Sequence, residues 1–83
     1  MKKPYNGHES WNAWNVSLWI GNDEGLYRRA MECITLPRAD GKPITAYLAA
    51  RRFAQSVPTT EKTPDGARYS FHSVKLAMSG LME

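Results

Sequence analysis

The sequence predicts a mainly α-helical fold, a small single-domain bundle of about four short helices spanning residues 1–83. Three observations carry that reading. Apolar residues recur at three- and four-residue spacing over four separate stretches. Segments rich in Gly, Pro, Asn and Asp divide those stretches. No internal repeat or second apolar block calls for another domain. The length allows one core, since a chain this short buries only about 60–65% of the surface its unfolded form exposes. With 42% hydrophobic and 23% charged residues, the composition is that of a folding chain and not of a disordered one.

The first helix is expected from about Ser10 to Ile20. At about 100° per residue, Trp11, Trp14 and Leu18 fall on one side, Ala13, Val16 and Ile20 on the other, and Trp19 between them. A helix apolar nearly all round belongs at the centre of a bundle. The tryptophans are therefore expected in the core, where truncating Trp11 or Trp14 to alanine would cost about 3–5 kcal/mol and unfold so small a domain; the alternative is an aromatic interaction surface, whose loss would spare the fold. Asn12 and Asn15 lie in the arc between Trp11 and Trp19, and must reach solvent or find hydrogen-bond partners.

The stretch "GNDEG" breaks that helix and starts another. Gly21 suits a left-handed residue after a helix end, and Asn22 or Asp23 suits the next N-cap. A second helix, roughly Glu24 to Leu36, turns Leu26, Tyr27, Ala30, Met31, Cys33 and Ile34 to one face and Arg28, Arg29 and Glu32 to the other, until Pro37 ends it. Pro43 suits the first residue of a third helix, about Pro43 to Ser56. Ala46, Tyr47, Ala49, Ala50, Phe53, Ala54 and Val57 make its broad apolar arc. Ile44 and Leu48 lie opposite, among Thr45, Arg51, Arg52 and Gln55. "VPTTEKTPDGAR" reads as a surface loop with a Pro-Asp-Gly turn. Phe71, Val74, Ala77, Met78 and Leu81 then predict a fourth helix from about Ser70 to Leu81; the alternative is α+β, with "ARYSFHSVKL" in a C-terminal strand or hairpin.

Function classes can be narrowed from the same residues. The net charge is +3, spread as six basic and five acidic side chains over residues 1–42 and five and three over residues 43–83, with no basic tail. No apolar run approaches the roughly 18 residues of a membrane span, and the start lacks a leader pattern, so a cytoplasmic location without membrane contact is expected. Cys33 is the one cysteine, which fits a reducing compartment and a buried apolar position. His8 and His72 are the only histidines, and no Cys-x-x-Cys, His-Glu-x-x-His, acidic metal loop or phosphate-binding glycine loop occurs. No metal, cofactor or catalytic site is expected, and the chain does not read as an enzyme. The candidate partner-binding residues are Arg51, Ile44, Gln55, Leu48 and Arg52, apolar side chains rimmed by arginine on one arc of the third helix, with Arg28 and Arg29 as a second cationic pair. The structural alternatives are a core Leu48 and a solvated Arg28–Arg29 face.

"YNGHESWNAWNVSLWIGNDEGLYRRA", Tyr5 to Ala30, resembles a group of small proteins of phages and other mobile elements, marked by a Tyr-Asn-Gly start, a Trp-Asn-x-x-Leu-Trp-Ile core and an Asn-Asp-Glu-Gly-x-Tyr turn. "TPDGARY" is a weaker echo further on. Some chains of this size and type resemble anti-CRISPR proteins that inhibit type I systems (Cascade), with subtype I-C foremost. The resemblance implies a stoichiometric, non-enzymatic inhibitor that binds a Cascade subunit of the host cell; a monomer without direct specific binding to nucleic acid is expected. With eleven basic residues against eight acidic ones, mimicry of the DNA backbone is disfavoured, and an acidic or mixed protein surface is the expected target. The reading from a different class is a small nucleic-acid-binding regulator of the mobile element.

Overall fold

The computed structural model describes residues 10–57 and 61–83. It contains four helices, α1 (Trp11–Asn22), α2 (Glu24–Thr35), α3 (Ala46–Ser56) and α4 (Phe71–Leu81). α1 and α3 each pack against both α2 and α4, so the helices close a ring around one core. Val16, Ile20, Phe53, Val74 and Met78 fill it, and Ala30, Ala49, Ala50 and Ala77 let the helices approach closely. Phe53 is fully buried, with the ring of Tyr69 6.5 Å away.

Each helix begins on a side-chain cap. Ser10, Asp23, Thr45 and Ser70 accept hydrogen bonds from the N–H groups of Ala13, Leu26, Leu48 and Ser73 respectively. Asp23 also closes α1 by donating its backbone N–H to the Trp19 carbonyl, so a single extended residue joins α1 to α2. Gly21 accordingly stays inside α1 and is not a left-handed terminator; the described glycines with positive φ are Gly41 and Gly66. The third helix starts at Ala46 and not at Pro43, because the Thr45 hydroxyl supplies the cap and the chain before it is not helical. Ile44, just ahead of that cap, packs against the core.

The segment read as a surface loop is in part a core element. Residues 58–60 lie outside the described residues, but Thr63, Ala67 and Tyr69 are all buried. Gly66 donates to the Thr63 carbonyl and Thr63 to the Ala67 carbonyl, and Lys62 pairs with Arg68 in one antiparallel bridge. The result is a tight hairpin turn, Thr63-Pro64-Asp65-Gly66, in which Pro64 pre-sets the first bend. Gly66 takes the left-handed φ of 94° that a side chain would strain. The α+β alternative fails beyond it: from Phe71 onward the chain is helix, started by the Ser70 cap.

Asn12, Asn15 and Trp19, one face of α1 at three- and four-residue spacing, hold this hairpin. The Asn12 amide donates to the Arg68 carbonyl (2.9 Å) and to Ser73 Oγ (2.7 Å), and its oxygen accepts the Arg68 N–H (3.0 Å). Asn15, 1% exposed, accepts from Thr63 Oγ1 (2.6 Å) and donates to Asp65 Oδ2 (2.8 Å). Trp19 Nε1 donates to the same carboxylate oxygen (2.8 Å). Thr63 Oγ1 in turn accepts the Ala67 N–H, so no buried side-chain polar atom is left without a partner among the described residues.

With this face against the hairpin and Ala13, Val16 and Ile20 in the core, the side of α1 carrying Trp11, Trp14 and Leu18 faces outward. The expected burial of all three indoles is corrected: Trp11 is 40% exposed, and Trp14 and Trp19 are only partly buried. Trp11→Ala should therefore leave the domain folded, at a cost of about 1–2 kcal/mol in chemical denaturation. Asn15→Ala should cost more, about 2–4 kcal/mol, by stranding the Thr63 hydroxyl and opening a cavity. In a double-mutant cycle, Asn15→Ala and Thr63→Val should together cost less than the sum of the two single losses, because they share one hydrogen bond.

The hairpin contact also gives a pH dependence. Hydrogen bonds from Asn15 and Trp19 hold the Asp65 carboxyl below its ordinary value. A carboxyl with a depressed folded pKa adds stability above its unfolded value, about 3.9, and that stability is lost as pH falls through the folded pKa. Melting curves between pH 7 and pH 2 should show Asp65→Asn losing less stability than the parent protein below about pH 4.

Candidate partner-binding site

The arginine-rimmed arc expected on α3 divides in two, because neighbouring residues on a helix point about 100° apart. Arg52 turns toward α2. Its guanidinium donates to the carbonyls of Cys33 (3.0 Å), Leu36 (2.7 Å) and Pro37 (3.4 Å), tying down the C-terminal end of that helix. Leu48, one turn earlier, is half-buried, and Ile44 is partly buried against the core. Neither Arg52 nor Ile44 is thus available as an open contact. Arg51 and Gln55 remain exposed.

What joins Arg51 and Gln55 is an aromatic pair from two helices. Tyr47 was expected on the core face of α3 but is 54% exposed, at the edge of that face nearest α4. Its ring meets Phe71, the first residue of α4, edge to face at a centroid distance of 5.3 Å and an interplanar angle of 67°. Tyr47, Arg51, Ala54, Gln55 and Phe71 line an open groove of about 400 Å³. Its electrostatics are one-signed. No Asp or Glu occurs between Asp40 and Glu61 or anywhere in α4, while Arg51 and, one turn beyond Phe71, Lys75 are exposed cations.

The second cationic pair sits in a different setting. Arg28 bonds Glu24 at 2.7 Å in an exposed i, i+4 pair, the solvated arrangement. Arg29 lines a second groove, of about 440 Å³, together with Asp23, Leu26, Glu61, Lys62 and Tyr69. Burial, then the nearby carboxylates of Asp23 and Glu61, push the Tyr69 hydroxyl pKa up. Two carboxylates against two cations give this larger groove no net preference for a charged ligand, whereas the α3–α4 groove is lined by a cation and no carboxylate. Cys33 is buried, and that burial, only partly opposed by Arg52 and Arg29, raises the pKa of its thiol so that it keeps its proton at neutral pH. Among the described residues no three His, Cys, Asp or Glu side chains come together as metal ligands, and no helix is long and apolar enough to cross a membrane. His8 lies outside the described residues, and His72 is exposed next to Phe71.

A family model described as "Family of unknown function (DUF7249)" matches residues 1–83, the full length of the chain. The chain belongs to this family. No curated protein and no solved structure matches it. For this DUF7249 member, helical periodicity identifies Arg51 and Gln55 as exposed and sets Phe71 against the core, where it is partly buried. It misses the exposure of Tyr47, whose one signal in the sequence is its place at the margin of the apolar arc of α3.

The two arginines should respond in opposite ways. Arg52→Ala should lower stability by about 1–3 kcal/mol, since three carbonyls lose their donor. Arg51→Ala should change it by less than about 0.5 kcal/mol. Thermal or urea unfolding of the two single variants checks this.

Proposed function

We propose that this protein is a non-enzymatic binding protein that engages an acidic surface of another protein through the α3–α4 groove. The observation that carries the reading is the pairing of exposed Tyr47 with Phe71, flanked by Arg51 and Gln55, on helices with no carboxylate. Aromatic and arginine side chains supply much of the energy of protein interfaces, and a one-signed face favours encounter with an opposite charge. The resemblance of Tyr5 to Ala30 to small mobile-element proteins supplies the partner: a Cascade subunit of a type I CRISPR-Cas system, bound stoichiometrically so that target-DNA binding or interference is blocked. In this reading the protein acts in the host bacterial cytoplasm.

The same cationic, aromatic face favours one other reading, a small nucleic-acid-binding regulator. The two separate in one experiment, with the purified protein titrated against assembled Cascade and, separately, against duplex DNA at several salt concentrations. The inhibitor reading expects saturable binding to the complex and restored phage infection in cells with an active type I system. Tight, steeply salt-dependent binding to naked DNA, with interference unaffected, supports the regulator instead.

Within the inhibitor reading, Arg51→Glu and Tyr47→Ala should each weaken binding to the complex at least tenfold, about 1.4 kcal/mol, with melting temperatures close to that of the parent. Arg28→Ala should leave affinity within about twofold. Calorimetric titration of the three variants measures both effects.

A further inference from the structure

We propose that two copies of this chain pair through the outward face of α1, antiparallel and about a twofold axis. The face consists of Trp11, Trp14, Leu18 and Gly21, spaced by three, four and three residues, the spacing of a seam along which one helix packs on another. All four lie on the side of α1 turned away from Val16 and Ile20, with Trp11 and Gly21 exposed and Trp14 and Leu18 half-buried. This surface is not used by the core, by the hairpin contact or by the α3–α4 groove.

A second copy is the occupant that fits its charge and its shape. From Trp11 to Asn22, α1 carries no Asp, Glu, Lys or Arg, and it is the one helix of the four without any. A charged partner would gain no ion pair here and would have its own ions desolvated, whereas two copies of an uncharged face bury none. A twofold axis crossing the helix at the level of Val16 sets Trp11 of one copy against Gly21 of the other, and Trp14 against Leu18, each contact occurring twice. The sizes match that register. A Cβ on Gly21 would meet nothing within 4 Å, so the space over it is open. Trp14, Ser17, Leu18, Gly21 and Asn22 bound a notch of about 280 Å³ there. On its α4 side, Ser17, Gly21, Ala77 and Gly80 keep the surface low around a further hollow of about 260 Å³.

The seam is short. A helix of 12 residues extends about 18 Å, and a strip that long and one helix wide, about 10 Å, falls well short of the roughly 800 Å² per partner of a standard interface. The dimer is therefore weak and reversible, and it leaves both α3–α4 grooves free.

Sedimentation equilibrium over a concentration range of about 10 μM to 1 mM tests the pairing. The weight-average mass should rise from that of the 9.4 kDa monomer toward twice that value. Gly21→Glu places a charge against the opposing Trp11 and should weaken association at least tenfold. At low concentration its melting temperature should stay level or rise, because glycine within a helix is less stable than other residues and this position is open. A monomer mass at every concentration overturns the proposal, as does a Gly21→Glu variant that associates as well as the parent. Growth beyond two copies also overturns it, because a closed twofold contact stops at the dimer.

Discussion

The structure depends on two asparagines of α1 that act as backbone partners for a distant hairpin. Asn12 offers both a donor and an acceptor to the main chain of Arg68, as a neighbouring strand would, and reaches Ser73 at the start of α4. Asn15, wholly enclosed, engages Thr63 and Asp65 at the turn itself. A buried amide left unpaired would cost more than a paired one contributes, so the network specifies one position for the hairpin as well as holding it. That position fixes the entry of α4 into the ring and brings Tyr69 beside Phe53. It also sets the rotation of α1, because the asparagine face must meet the hairpin while Val16 and Ile20 meet the core.

The rotation has two surface consequences. It turns Trp11, Trp14 and Leu18 outward, making the most apolar helix of the chain a half-exposed one. It also physically joins two distant stretches of the sequence. "WNVSLWI" and "TPDGARY" meet through the Asn15, Trp19, Thr63 and Asp65 contacts, so they encode one structural unit. These two stretches build the scaffold, and the proposed recognition residues Tyr47, Arg51 and Phe71 lie outside both.

On the other side of the ring, α3 separates its two arginines by function. Arg52 stays with its own chain, satisfying the last carbonyls of α2 and of the turn that follows. Arg51, one residue away, finds none of those carbonyls and faces solvent beside Tyr47. Electrostatic character follows from this division. α1 is uncharged, the Asp23–Glu32 region mixes both signs, and α3 with α4 is purely cationic, so one small molecule presents surfaces suited to different contacts.

The sequence by itself determined the four helices and most of their ends. Periodic apolar residues, and a cap at Asn22 or Asp23, act over a few neighbouring positions, and local order suffices to read them. It also marked Asn12 and Asn15 as polar groups that must reach solvent or find partners, and Cys33 and Phe53 as members of apolar faces. Only the tertiary structure decided which face of α1 is covered, because a helix apolar on two sides can bury either one, and the choice lies with a hairpin about fifty residues away. The same holds for Arg51, Arg52 and Tyr47. Their angular positions on α3 are legible in sequence, but whether an arginine finds helix-terminal carbonyls, or a tyrosine finds the edge of Phe71, depends on where α2 and α4 come to rest.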